Sequence, residues 1–216
     1  GIGHAQHMPG HIYSGIGMWH EAAISMDSAT RVEKQYMRQR LVFPFNTWNY
    51  AHNQNYLCYI QEQLGMPDAA ISGAKQILAA PLDPKYNNPT EYSAHAQGTI
   101  ALSRALARYE RWKEILDPKT FNWQEYTRDK LTRAYIETLA HLGLNDLEKA
   151  AKSYAAHAAL KTEMEKPDNK FFAHPHTIQS LELRGRLALA KGETLTGLNL
   201  LNDAANAIGA GEVAAC

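Results

Sequence analysis

GMWHEAAISMDSA (Gly17–Ala29) sets a glycine ahead of an aromatic residue two positions on, then Ala22, Met26 and Ala29 at five, nine and twelve. Glycine enters the left-handed backbone of a tight turn without a Cβ penalty. Apolar residues at three- and four-residue intervals share one face of a helix. The stretch therefore predicts a turn followed by a helix with one apolar side. The same frame fits GETLTGLNLLNDAA from Gly192, where Gly197, Leu201 and Ala204 fall at five, nine and twelve. Further copies are GMPDAAISGAKQIL from Gly65, ARYERWKEIL from Ala107 and GLNDLEKAAKSYAAHA from Gly143, the last needing a shift of about two. Each follows ten to fifteen residues of helix-forming sequence, such as NQNYLCYIQEQL or TRAYIETLAHL. Five helix-turn-helix units result.

Small residues at the alanine and glycine positions let two antiparallel helices approach closely, while larger apolar residues fill the layer between successive pairs. Ala22 and Ala29 are expected at the closest approach of the first hairpin, and Trp19, Tyr109, Trp112, Tyr154 and Leu201 in the core. No strand-like alternation competes. The fold expected is all-α, a single domain over residues 1–216 built as a solenoid of helical hairpins. The long connections RQRLVFPFNTW and APLDPKYNNPT separate the units, and the second must interrupt helix because of its prolines and asparagines.

Composition excludes several classes. The 22 Lys+Arg balance 22 Asp+Glu, so no net field draws the chain to nucleic acid or an anionic membrane. No apolar run reaches the ~20 residues of a spanning helix, and the chain reads as soluble. Two cysteines, Cys58 and Cys216, are too few for a disulfide framework. A start inside a motif, without an initiator methionine, suggests a fragment or processed form of a longer chain. No nucleophile motif, phosphate loop, paired-cysteine zinc site, HExxH segment or dinucleotide fingerprint occurs.

The recurring frame resembles the tetratricopeptide repeat over most of the chain, which implies a right-handed superhelical solenoid of about five hairpins. Turn spacings of 48, 42, 36 and 49 exceed the ~34 of that repeat, so the copies are irregular. HAQHMPGHIYSGIGMW followed by YAHNQNYL (Tyr50–Leu57) is similar to a bacterial group of tetratricopeptide-repeat proteins with a His-Met-Pro-small-His-Ile segment and a downstream His-Asn pair. That resemblance implies a bacterial protein, of cytoplasm or periplasm, and supplies no reaction.

Histidine is the commonest metal ligand, and His4, His7 and His11 crowd into eight residues. They lie thirteen, ten and six positions before Gly17, offsets that the repeat resemblance places on the concave face of the first helix. His52 holds the thirteen offset before Gly65, Gln179 holds it before Gly192, and His95 is one residue off that line before Ala107. Spacings of three and four put His4, His7 and His11 on one helical stripe. Pro9 leaves two alternatives, a kinked continuous helix or a helix that begins near Pro9 with His4 and His7 on the preceding turn. His174-Pro175-His176 is expected on a loop, and His20, His141 and His157 as packing or surface residues. Trp48, Tyr50, Tyr56 and Tyr59 pack between helices or stack on a groove ligand.

Two function classes follow. One is a binding scaffold whose concave groove, with Asn53, Tyr56 and Gln179 among its polar residues, takes a protein, peptide or small molecule. The other is a metalloprotein, whether or not an enzyme, with zinc, copper or iron held by His7, His11 and His52 plus His4 or His95. An ion so held would be displaced as pH falls toward ~6.5.

Overall fold

The computed structural model describes residues 3–44, 48–81, 93–164 and 173–212. Of these, 82% are helical and none lies in a strand, so the chain is all-α. The helices are α1 (Gly3–Gly15), α2 (Trp19–Arg40), α3 (Trp48–Gln63), α4 (Pro67–Leu78), α5 (Ala94–Arg108), α6 (Trp112–Leu116), α7 (Thr127–Gly143), α8 (Leu147–Met164), α9 (Ala173–Ala190) and α10 (Thr194–Glu212). No described helix is long and apolar enough to cross a membrane. The helices form two compact units, residues 1–109 and 110–216. The APLDPKYNNPT connection falls mostly outside the described residues.

Turn chemistry corrects the register read from sequence. Gly17, Gly65 and Gly192 carry φ of 78°, 70° and 82°, the left-handed backbone that glycine takes without penalty. In the fourth hairpin, however, Asn145 takes φ 59°, and before α6 the turn residue is Glu110 at φ 53°. The frame thus starts at Glu110 and Asn145 rather than Ala107 and Gly143, and the two-residue shift in the fourth copy disappears. Counted from the observed turns, the fifth position is Ala22, Ala70, Ile115, Ala150 and Gly197. The first four are almost fully buried. A Cβ on Gly197 would stand 2.9 Å from the carbonyl oxygen of Gly185, so the closest approach of α9 and α10 requires glycine there.

The third unit is not a full hairpin. Helix α6 has five residues and packs on α7. Its end follows from Pro118, which drives Asp117 out of helical backbone to ψ 119°.

Unit 1 has its core in Ala22, Met26, Leu57 and Ile60, flanked by Tyr13, Trp19, Tyr56 and Tyr59. Trp19, Tyr109, Trp112, Tyr154 and Leu201, expected as core, are half-buried. Small residues occupy the seams where backbones meet, which leaves bulky rings at the margins. In unit 1, side-chain bonds join Ser14 to Tyr56, Lys34 to Gln76, Asn55 to Gln97 and Arg104 to Glu62. All four pairs stand forty-two residues apart, so successive hairpins stack in one register.

Ala22 and Ala29 are fully buried, as expected. Ala22→Leu should overpack the α1/α2 seam and cost about 1–3 kcal/mol, read as a lower midpoint in thermal unfolding. An unchanged midpoint would contradict the seam.

Candidate metal centre

Helix α1 runs unbroken through Pro9, which settles the two alternatives for this segment. Pro9 has no N–H to donate to the Ala5 carbonyl, but the helix is held from its other side. Gly3, His7, Gly10 and Ser14 are its buried stripe. A Cβ on Gly10 would come within 2.9 Å of the Met26 side chain, so α1 lies close on α2 there. The glutamate Glu33 occupies the corresponding place beneath Gly3.

This seating turns His7 inward and brings His11, one turn on, against α3. The Nε2 atoms of His11 and His52 are 3.4 Å apart. Two nitrogens bound tetrahedrally to one ion at ~2.0–2.1 Å each stand about 3.3–3.4 Å from one another, so this pair already has the spacing of two ligands. One ligand atom from each of His7, His11 and His52 can be chosen so that all lie within 4.8 Å of one another. The three residues are close enough to hold one metal ion. His7 is buried and the other two are half-buried, and the Nδ1 of His7 has no hydrogen-bond partner.

Aromatic rings fix the two half-buried imidazoles. Trp48 stacks on His52 with centroids 4.5 Å apart and planes 16° from parallel. Tyr56 lies edge-on to His11 at 4.2 Å while also packing on the unit 1 core. Ser14 Oγ gives its hydrogen to the His11 carbonyl at 3.0 Å. That leaves the Tyr56 hydroxyl to donate to Ser14 Oγ at 2.9 Å. A serine on α1 therefore positions a tyrosine on α3 beside the site.

Burial keeps the imidazoles neutral. It lowers the pKa of His7 and His11 and pushes His52 down to about 4, with the neighbouring imidazoles adding to the effect at His7 and His52. At neutral pH all three offer lone pairs. Desolvation disfavours the imidazolium, so proton uptake by these rings lies below the ~6.5 of a free imidazole.

The other predicted residues fall elsewhere. His4 is exposed, its ring 4.7 Å from that of His7, and does not join the three-histidine group. His95 is buried in the first turn of α5, 3.4 Å from Thr99 Oγ1, and is outside the group as well. With the turn at Glu110, the thirteen offset belongs to Gln97 instead. Asn53 is fully buried, so it cannot line an open groove; one residue on from His52, it points into the helix packing. Gln179 lies in unit 2, where its Oε1 is 2.9 Å from His176 Nδ1. The His-Pro-His segment opens α9 instead of forming a loop, because a proline in a first turn forfeits only an N–H that has no helical partner.

Unit 2 holds a second polar cluster that sequence reasoning passed over. His157 takes the position twelve residues after Asn145 that Ala29 and Ala204 take in their hairpins, and it is fully buried. Its ring is 6.5 Å from His176 and 6.3 Å from Tyr135, whose hydroxyl donates to Glu182 at 2.6 Å. Burial first, then His176 and Lys161, push the His157 pKa down to about 4, with Gln179 opposing. The unfolded chain takes up this proton near pH 6.5 and the folded one only near 4, so stability is full above 6.5 and falls as pH drops between the two. Wild type should lose about 2 kcal/mol through this group by pH 5. His157→Leu should flatten that part of the acid limb in denaturant titrations. An unchanged slope would mean that His157 is not held neutral.

A separate groove of about 650 Å³ runs between α7 and α8, lined by Lys130, Arg133, Glu137, Lys149 and Lys152 among others. It contains none of the residues expected in a ligand groove. No family model, curated protein or solved structure matches the chain.

Proposed function

We propose that the first unit is a transition-metal site in which His7, His11 and His52 bind one zinc, copper or iron ion, donors that imidazole chemistry suits. The observation that carries this reading is the 3.4 Å separation of the His11 and His52 Nε2 atoms with His7 beside them. Binding a partner requires no such convergence. Imidazoles held this close repel one another once protonated, a cost that an ion repays.

The turn frame and the forty-two-residue register support a second, compatible reading, a tetratricopeptide-like right-handed solenoid presenting a surface to a protein, peptide or small molecule. In that reading the metal site is set into the first repeats.

Elemental analysis of the full chain purified without an affinity tag tests the metal reading. One transition-metal ion per chain is expected, or uptake of one equivalent of added zinc. A chain that holds none and takes up none leaves only the scaffold.

A further inference from the structure

Resting on the metal reading, we propose that the ion held by His7, His11 and His52 keeps one coordination position open to a small anion from solvent that binds through a single lone-pair donor atom.

The donor count leads to this. Among the described residues no fourth histidine, cysteine, aspartate or glutamate joins the group. His4 is the nearest candidate by sequence, yet it is exposed and lies outside the cluster. The Tyr56 hydroxyl is committed to Ser14. Three protein ligands with a fourth place left to solvent or substrate is the arrangement of catalytic rather than structural zinc sites.

Charge selects the class of ligand. Three neutral imidazoles contribute no negative charge and the group contains no carboxylate or thiolate, so a divalent ion retains both positive charges. In a partly desolvated site that charge draws an anion more strongly than it would in water. Access is one-sided, since His7 is buried while His11 and His52 are half-exposed. The rings of Trp48 and Tyr56 that border those two histidines carry no charge to repel an incoming anion.

Cobalt(II) substitution with azide as the probe tests the proposal in the full chain, because the visible bands of cobalt report its coordination. Cobalt should load one per chain, and azide should shift the bands saturably in wild type and equally in His4→Ala. If cobalt loads but azide leaves the spectrum unmoved, the chain fills the fourth position, and the inference fails while the metal reading stands. An azide response gained only in His4→Ala would identify His4 as that ligand and overturn the inference in the same way. No cobalt uptake at all would remove both the metal reading and this inference.

Discussion

On the proposed metal reading, a chain carrying His11→Ala and His52→Ala should come through a tag-free purification without the one ion per chain expected of wild type. The double change removes the two nitrogens already at ligand spacing and leaves His7 as a single imidazole. Zinc sites with four ligands are worth ~10–16 kcal/mol, so each ligand supplies on the order of 3 kcal/mol. Losing two then weakens binding more than ~10⁴-fold. The fold should survive, because both residues are only half-buried and alanine is the better helix former. Circular dichroism should show unchanged helix content. His4→Ala should leave the metal content as it is, since His4 stands outside the group. Unchanged metal content in the double variant would refute the site.

The hairpins were legible because backbones in close contact exclude large side chains, and that exclusion writes alanine and glycine at fixed distances from each turn. The register failed where the left-handed turn residue is Glu110 or Asn145: glutamate gives no sign of such a backbone, and the asparagine, which tolerates it, was passed over for the nearby Gly143. Misplacing the third turn is what put His95 near a ligand line. The closeness of His7 and His11 was legible from their four-residue spacing, but the offset that His52 shares with His4 named the wrong partner, since His52 meets His11 and His4 stands outside the group. The continuity of α1 through Pro9 was not, because it depends on how Gly10 admits Met26. Contacts such as Ser14 to Tyr56 depend on the forty-two-residue stacking register, which appears only once α1 and α3 are side by side. His157 was left between packing and surface for a related reason: at an alanine-type position, an ionisable ring reveals its burial only through its neighbours.

The largest loss of stability is expected from Arg104→Met. The Glu62 carboxylate has no exposed side-chain surface, and Arg104 Nε approaches its two oxygens at 3.0 and 2.9 Å. The same guanidinium donates to the Asn55 side chain at 3.1 Å and to its carbonyl at 3.3 Å, and it lies over the ring of Tyr59 at 5.5 Å. Tyr109 donates to the Glu62 carbonyl at 3.0 Å, so this network ties α3 to α5. Burial already raises the Glu62 pKa, with Arg104 pulling it down. Methionine fills the volume of the arginine stem but leaves a buried carboxylate without its cation. Breaking such a pair costs about 3–5 kcal/mol, whereas replacing both partners by apolar residues is often neutral. Because Arg104 is itself 31% exposed, the cost should sit near the lower figure. A carboxyl whose folded pKa lies above its unfolded value adds stability at low pH and loses it as pH rises through the folded pKa. In Arg104→Met that folded pKa rises further, so the deficit should be greatest at neutral pH and shrink toward the carboxylate range. Adding Glu62→Leu should restore most of the loss in urea titrations. If the single change is silent at pH 7, or the double change is no better than the single, the pair does not hold α3 and α5 together.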